Sequence, residues 1–312
     1  MIVQRLLTIM FVAGALCGIG AHAAESLPLS LSLSLSLSFT PLGGTEQIPA
    51  TLLKPEGAGP FAAIVMMHDC SGLGPRSSGG PKRWANELVA QGYVVLMPDS
   101  FSPRGFADGV CIVPAKQRSR VNGYVRAADA YGALAVLRTL PYVDGKRVGI
   151  MGGSHGGWTA LAAMFVPTDT ADPLAESKRN GFAAAIALYP SCEPRYGAWS
   201  TANTDSPADA RYSGVYQPIA PLLILTGEKD DWTPAEPCRQ LAERSRAAGH
   251  PVEIKIYPGA HHSFDNDRPV RYVAQRRNGR GATTGGDPVA WADAKKQVSA
   301  FFSLHLMQQK AR

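Results

Sequence analysis

The chain contains 312 residues, of which 45% are hydrophobic and 18% charged. This composition is typical of a globular protein and excludes a disordered chain, and the length fits one large domain. The formal net charge of +6 is mild for this length, and the cluster of Arg276, Arg277 and Arg280 has no interleaved aromatic residues. We therefore expect no nucleic-acid partner.

Residues 1–23 have the pattern of a secretory signal peptide. A short start that carries Arg5 is followed by an almost entirely apolar run at 6–20, and Ala21, His22 and Ala23 give the small-x-small pattern of a cleavage site. The apolar run is short for a membrane span. We therefore expect cleavage, export to the periplasm or the medium, and no stable membrane association afterwards. An uncleaved anchor is the alternative.

Residues 24–44 form a low-complexity segment in which Leu and Ser alternate between positions 29 and 38. Strict alternation is the period of a β-strand and places the leucines on one face. The segment therefore predicts a first edge strand, with a tolerated repeat expansion as the alternative.

Residues 45–312 alternate between strand-like and helix-like stretches and predict a single domain. In chain order the predicted elements are strands 46–54 and 61–67, helix 82–91, strand 93–97, helix 123–140, strand 147–151, helix 158–165, strands 183–189 and 221–226, helix 234–248, strand 252–257 and helix 288–306. Most of these strands are continuous apolar runs, which are typical of strands buried on both faces. The pattern predicts an α/β fold with a doubly wound, mostly parallel sheet. The polar, loop-rich insert at 192–217 is expected to cap the functional site.

The turn Gly152-Gly153-Ser154-His155-Gly156 lies between the strand 147–151 and the helix 158–165. Strand, tight G-x-S-x-G turn and helix together form the context of a nucleophile elbow. The glycines are needed because side chains at their positions would collide with the neighbouring strand or helix. The sequence therefore predicts Ser154 as a nucleophile, with a plain glycine-rich turn as the alternative.

A serine nucleophile needs a histidine base and a carboxylate that orients it, in the chain order Ser, acid, His. Asp230 follows the strand 221–226 and is the predicted acid. Asp231 is the alternative, and helix capping is the structural role open to both. After the strand 252–257 comes His262, the predicted base, with His261 as the alternative.

An acyl-transfer site also needs N–H donors for the oxyanion of the tetrahedral intermediate. The backbone N–H of His155 is one predicted donor, since it follows the nucleophile. The loop 68–72 after an earlier strand should supply the second, which we assign to the N–H of Cys70. His68 itself is expected to make a structural hydrogen bond.

The combined motifs resemble the dienelactone hydrolase family of α/β-hydrolases over roughly residues 45–305. The resemblance is carried by the stretches His68-Asp69-Cys70-Ser71-Gly72, Gly152 to Gly157, Gly227 to Pro234, and Tyr257 to Phe264. It implies an α/β-hydrolase fold with Ser154 as nucleophile, Asp230 as acid and His262 as base, and it requires no metal or organic cofactor. A Glu of the family falls on Asp69.

The namesake enzymes of that family use Cys where this chain has Ser154. The resemblance therefore implies a more general enzyme for small-molecule carboxylic esters or lactones. Arg104, on a loop after a strand, is a candidate substrate-binding residue; an ion pair with Asp99 or Asp108 is the structural alternative.

Four cysteines follow the signal peptide, and an even number in an oxidising compartment favours two disulfides. Without a CxxC pair a zinc cluster is not expected. Three pairings are open from the sequence alone. The family's topology places Cys70 beside Cys111 and Cys192 beside Cys238, which implies those two bonds.

Three other hypotheses remain from the sequence. The first is a serine peptidase of the prolyl-oligopeptidase type, which shares the fold and the serine motif. The second is a non-catalytic binding protein that kept the fold. The third is a metal site built on His261, His262, Asp265 and Asp267, whose spacing matches no familiar ligand pattern. The sequence does not indicate an oligomeric state.

Overall fold

The computed structural model describes residues 33–168, 172–201, 212–274 and 281–308. The predicted signal peptide, the first part of the Leu-Ser repeat and the arginines at 276–280 lie outside the described residues. Among the helices that are described, none combines the length and the apolarity needed to cross a membrane.

The elements alternate between strands and helices, as the sequence predicts. The described strands are β1 (Leu33–Phe39), β2 (Ile48–Lys54), β3 (Phe61–Met67), β4 (Val94–Pro98), β5 (Val143–Gly153), β6 (Ala184–Leu188), β7 (Ser200–Thr201), β8 (Tyr212–Ser213), β9 (Leu222–Gly227), β10 (Val252–Tyr257), β11 (Arg271–Val273) and β12 (Ala282–Thr284). The described α-helices are α1 (Gly80–Ala90), α2 (Ala115–Arg118), α3 (Gly123–Thr139), α4 (His155–Met164), α5 (Ala175–Arg179), α6 (Ala235–Ala247) and α7 (Pro288–Phe302).

Eight strands form one sheet in the order β1-β2-β4-β3-β5-β6-β9-β10. Neighbouring strands are parallel from β4 to β10, while β1 and β2 add antiparallel pairs at one edge. The predicted doubly wound, mostly parallel α/β fold is confirmed. Because the β5, β9 and β10 strands are parallel, the loops that follow them meet at one edge of the sheet.

Helices cover both faces of this sheet. Alternate residues of each buried strand enter different cores, so that Val65 belongs to the core that includes residues of α3, α4 and α6, while Ile64 belongs to the core that includes residues of α1 and α7. This is why the inner strands are continuous apolar runs. The Leu-Ser repeat is different, since β1 pairs only with β2 and leaves Leu33 and Leu35 exposed, as expected of an edge strand.

The insert at 192–217 contributes to the main core. Tyr196, Trp199 and Tyr216 are all fully buried in its described part, and the Tyr216 hydroxyl donates a hydrogen bond of 2.9 Å to the carbonyl of Leu161 in α4. The segment is thus anchored by buried aromatic side chains, although most of its residues are polar. Residues 202–211 lie outside the described residues, so the expectation of a cap stays a prediction there.

Candidate active site

Ser154 lies in the sharp turn between β5 and α4. Its backbone has φ 54° and ψ −114°, a strained conformation for a residue with a side chain. A Cβ atom at Gly156 would lie 2.0 Å from the carbonyl oxygen of Met67, and one at Gly152 would lie 2.5 Å from the backbone of Gly156. The glycines are therefore required by close backbone approach, and the turn presents the serine hydroxyl at the edge of the sheet.

His262 lies between Ser154 and Asp230. Its Nε2 is 3.0 Å from the Ser154 Oγ, and its Nδ1 is 2.8 Å from the Asp230 Oδ2. The histidine is 1% exposed and the aspartate 4% exposed. The three side chains come from the loops after β5, β9 and β10, so the structure brings together the three residues that chain order selects.

Backbone and side-chain donors fix the Asp230 carboxylate. Its Oδ1 accepts hydrogen bonds from the N–H groups of Trp232 (2.9 Å) and Thr233 (2.8 Å). The Thr233 hydroxyl is 3.1 Å from the other oxygen and 3.0 Å from Nδ1 of His262. Thr233 is a buried site residue that the sequence did not single out. Its position beside the predicted acid was the available signal.

The alternative acid and base point elsewhere. The Asp231 carboxylate accepts hydrogen bonds from the N–H (2.7 Å) and the hydroxyl (3.2 Å) of Thr283, in β12. Nδ1 of His261 is 3.1 Å from the carbonyl oxygen of Lys229. Asp231 therefore holds the β11–β12 hairpin against the site, and neither alternative residue joins the hydrogen bonds of Ser154.

Asp265 is one of the two carboxylates of the hypothetical metal site, and it is buried in another hydrogen-bond network. One oxygen accepts from Nε1 of Trp84 (2.5 Å) and the other from the hydroxyl of Tyr189 (2.8 Å). Burial raises the pKa of Asp265 above its ordinary value. With His262 bound to Ser154 and Asp230, these side chains do not converge on one metal position. In the described part of the chain, no three His, Cys, Asp or Glu side chains are grouped to hold an ion.

Aromatic rings and the hairpin hold His262 in place. Its ring packs against Tyr189 and Trp232, with centroid distances of 4.9 and 4.7 Å. Its carbonyl accepts a hydrogen bond of 2.8 Å from the Thr284 hydroxyl. The three non-glycine residues with positive φ in the described ranges are Ser154, Tyr189 and Ser263, and all three line the same cavity. Backbone strain is thus concentrated at this site, as is common in functional sites.

The two residues predicted to supply oxyanion donors lie beside the serine. Cys70, Ser154 and His155 line a small common cavity of about 50 Å³. His155 begins α4, so its N–H belongs to the first turn of the helix, where the helix dipole favours negative charge. Cys70 lies in the loop after β3.

His68 has the structural role expected from the sequence. Its Nε2 accepts a hydrogen bond of 3.2 Å from the N–H of Ser100, so its Nδ1 carries the proton and donates to the carbonyl of Asp69 at 2.9 Å. Burial, reinforced by the charge of Arg126, lowers the pKa of His68 well below its ordinary value. This histidine is therefore neutral and is fully engaged by the two hydrogen bonds.

The prediction that Arg104 binds substrate is wrong. Its guanidinium is buried and donates two hydrogen bonds to Asp129, at 2.7 and 2.8 Å, and a third of 2.7 Å to Glu46. It pairs with neither Asp99 nor Asp108, the acids considered from the sequence. Its main partner, Asp129, lies in α3. Arg104 does not line the cavity at Ser154.

That cavity has a volume of about 200 Å³ and is bordered by cationic side chains of four arginines, namely Arg76, Arg83, Arg268 and Arg271. Asp69, at the position where the family has Glu, also lines it and accepts hydrogen bonds of 2.5 Å from the hydroxyls of Ser71 and Ser78. None of the described residues of the 192–217 insert borders it. None of these four arginines is predicted as a site residue from the sequence. Arg271 lies in β11, a strand that the sequence does not predict, and Arg268 lies in the segment before it.

Both implied disulfides are present. Cys70 is bonded to Cys111, which joins the loop after β3 to the long segment after β4. Cys192 is bonded to Cys238, which joins the loop after β6 to α6. The first bond lies in the wall of the cavity, so it braces a loop that borders Ser154.

A sequence model of the dienelactone hydrolase family matches residues 48–304. The chain belongs to the dienelactone hydrolase family. It is 22% identical over 271 residues to a candidate carboxymethylenebutenolidase of Synechocystis sp., covering 83% of this chain and 93% of that protein. It is 29% identical over 190 residues to the uncharacterized protein YcjY of Escherichia coli, covering 59% of this chain and 56% of YcjY.

Solved structures of hydrolases share the fold. Esterase 2 of Thermogutta terrifontis superposes with a TM-score of 0.58 at 19% identity, covering 87% of this chain and 94% of the esterase. Dipeptidyl peptidase 4 of Porphyromonas gingivalis superposes with a TM-score of 0.56 at 20% identity, covering 88% of this chain but 36% of the peptidase. At these identities the likeness concerns the fold alone.

Proposed function

We propose that this family member is an exported serine hydrolase that cleaves carboxylic esters or lactones through an acyl-enzyme on Ser154. The observation that carries the proposal is the buried hydrogen-bond chain from the Ser154 Oγ through His262 to Asp230, at the floor of a cavity. A serine hydroxyl becomes a nucleophile when a positioned base can take its proton.

In the first half-reaction the Ser154 oxygen attacks the ester carbonyl while Nε2 of His262 accepts the hydroxyl proton. The carbonyl oxygen becomes an oxyanion, for which the N–H groups of His155 and Cys70 are the proposed donors. Asp230 holds the proton on Nδ1 and stabilises the imidazolium. The C–O bond to the alcohol then breaks, and the imidazolium gives its proton to the leaving oxygen.

The second half-reaction repeats these steps with water. His262 takes a proton from water, the resulting hydroxide equivalent attacks the acyl carbon, and the bond to the serine oxygen breaks. The proton on Nε2 returns to Ser154, so the enzyme is restored and the acid is released. With a lactone substrate, the alcohol and the acid are two ends of one product.

The cavity favours small substrates with a negative charge. Its volume of about 200 Å³ is below the roughly 300–1,000 Å³ of pockets that hold drug-sized ligands. Arg268 and Arg271 are exposed at its border, where they can attract a carboxylate without first breaking a buried ion pair. We therefore expect a higher kcat/KM for the p-nitrophenyl monoester of succinate than for p-nitrophenyl acetate, with the difference reduced at high salt.

Export is supported by the two disulfides together with the signal-like N-terminus. Disulfides of this kind form and persist in oxidising compartments. Fractionation of cells that express the full chain tests this point. A mature protein in the periplasm or medium that begins near residue 24 is the expected result, and an uncleaved cytosolic protein would contradict it.

A peptidase function is the second candidate, favoured by similarity to peptidases. The chain is 27% identical over 201 residues to dipeptidyl-peptidase 5 of Porphyromonas gingivalis, but these cover 27% of that protein. Comparing p-nitrophenyl esters with dipeptide p-nitroanilides separates the two functions, and faster anilide turnover would favour the peptidase.

The experiment for the main proposal compares Ser154→Ala with Ser100→Ala in turnover of p-nitrophenyl acetate. Ser100 is also buried, and its hydroxyl has no hydrogen-bond partner among the described residues, so its loss should be harmless. We expect Ser154→Ala to lose turnover and fluorophosphonate labelling while the control keeps both. Equal activity of both variants would reject Ser154 as the nucleophile. An unlabelled wild type without turnover would reject the proposal and support a binding protein.

A further inference from the structure

Arg126 is a fully buried cation below the Ser154 turn that the proposed mechanism does not use. It lies in α3 and is 0% exposed. Its Nη1 is 2.7 Å from Nδ1 of His155, and its Nη2 donates a hydrogen bond of 2.8 Å to the carbonyl oxygen of His68. A guanidinium only donates, so Nδ1 of His155 must be the acceptor and that imidazole is neutral.

These two hydrogen bonds reach both loops that carry the proposed oxyanion donors. His155 supplies one of the N–H groups itself, and the His68 carbonyl is two residues before Cys70, which supplies the other. A guanidinium is planar and holds its donors in a rigid fork. One side chain therefore sets the distance between the two loops, and a shift of either loop would stretch one of the bonds.

A third loop supports the same group. The guanidinium of Arg126 lies 4.8 Å from the centre of the Phe101 ring, in the segment after β4. That ring makes edge contacts with His68 at 4.4 Å and with His155 at 5.5 Å. The cation thus sits at the junction of the loops after β3, β4 and β5.

The charge of Arg126 is not neutralised by a direct salt bridge within the described part of the chain, because Arg104 occupies the nearby Asp129. Burial lowers the pKa of Arg126 to about 9, with the charge of Asp129 acting in the opposite direction, so the group remains a cation at neutral pH. A buried cation without a direct partner is costly. An oxyanion that forms close by would reduce that cost in the transition state.

We propose that Arg126 is a positioning residue for ester hydrolysis, which fixes the two oxyanion donors and stabilises the tetrahedral intermediate by its buried charge. This inference rests on the proposed function. It requires that the loss of Arg126 weakens binding of the transition state more than binding of the substrate. A side chain that only stabilised the fold would change the melting temperature without that selectivity.

The test compares Arg126→Met and Arg126→Lys with Tyr131→Phe. Tyr131 lies on the same helix, is buried, and donates a 2.9 Å hydrogen bond to the carbonyl of Ala163, away from both loops. Each variant is assayed for kcat and KM with p-nitrophenyl acetate, for inhibition by phenylboronic acid as a tetrahedral adduct, and for melting temperature. The control measures what the loss of a buried hydrogen bond in α3 does alone.

We expect Arg126→Met to lower kcat by about 10²-fold, comparable to removal of an oxyanion donor, with KM within about threefold. The affinity for phenylboronic acid should fall in parallel with kcat/KM. Arg126→Lys keeps the charge but cannot reach both acceptors, so its decrease in kcat should be intermediate. Tyr131→Phe should keep its kcat. A folded Arg126→Met with kcat and boronate affinity within threefold of wild type would overturn the inference.

A second pair of variants decides the question if Arg126 variants do not fold. His155→Gln keeps a side-chain acceptor for Arg126, whereas His155→Leu removes it, and both keep the main-chain N–H. We expect kcat of the Leu variant to be at least tenfold below that of the Gln variant. Equal kcat values would overturn the inference. If the wild type hydrolyses no ester at all, the proposed function fails first, and that result is distinct from the others.

Discussion

Asp230→Asn should leave the loop after β9 intact and remove most of the activity. In the wild type the Oδ1 atom accepts two backbone N–H bonds, from Trp232 at 2.9 Å and from Thr233 at 2.8 Å. Only the oxygen of an amide can accept these bonds, so the amide nitrogen must take the place of Oδ2 and face Nδ1 of His262. Because that nitrogen donates, Nδ1 must become an acceptor. The ring proton then moves to Nε2, which can no longer accept the proton of Ser154.

The burial of the site determines how far kcat falls in Asp230→Asn. With Asp230 4% exposed and His262 1% exposed, solvent has little access to restore the correct tautomer. The corresponding substitution in the Ser-His-Asp template lowers kcat by about 10⁴, which is about 5.4 kcal/mol of transition-state stabilisation. The melting temperature should change little, since the backbone hydrogen bonds are kept.

The assay is the kcat for p-nitrophenyl acetate near neutral pH, with Asp231→Asn as the matched control. That neighbouring carboxylate accepts from Thr283 at 2.7 and 3.2 Å and makes no bond to His262, so its variant should stay within about tenfold of wild type. If Asp231→Asn loses as much activity as Asp230→Asn, or if Asp230→Asn stays within tenfold, the assignment of the acid is refuted.

Three further predictions concern stability. Gly156→Ala should prevent correct folding or lower the melting temperature strongly, because the new Cβ would lie 2.0 Å from the Met67 carbonyl oxygen; a soluble variant with wild-type melting would contradict this. The lowered pKa of His68 means that below about pH 6.5 only the unfolded chain takes up its proton, so unfolding free energy falls as pH falls, by up to about 1.4 kcal/mol per pH unit. In a folded His68→Asn variant, denaturant titrations at pH 5 to 7 should show a shallower slope, and an unchanged slope would contradict the reasoning. Replacing Cys192 and Cys238 together by Ser should lower unfolding free energy by about 2–4 kcal/mol in denaturant titrations, and no loss would show that the bond does not stabilise the fold.

The sequence was sufficient for the order along the chain of the strands in the main sheet, for Ser154 and for the two loops that carry its acid and its base. Long apolar runs identify strands buried on both faces, and parallel strands bring their following loops to one edge. The turn at Ser154 and the loops of Asp230 and His262 could therefore be placed together before their distances were known. The choice between Asp230 and Asp231 needed the structure, because adjacent residues differ only in where their side chains point.

The ion-pair partner of Arg104 could not be predicted from the sequence. The loop position of Arg104 fits both a substrate contact and a buried ion pair, and its partner Asp129 lies in a helix with no local signal for the pairing. The aromatic anchors of the insert were hidden for a similar reason, since Tyr196 and Trp199 occur in a mostly polar segment without a regular period. Their burial follows from tertiary packing, which local patterns do not contain.

The acyl-enzyme on Ser154 is the central claim of this account. Its most direct test is mass spectrometry of the protein quenched with acid during turnover of p-nitrophenyl acetate, followed by proteolysis. The account predicts one acetyl group on the peptide that contains Ser154, formed in wild type and absent in Ser154→Ala. Continued ester turnover without an acylated peptide, or acetylation at a different residue that is required for turnover, would contradict it.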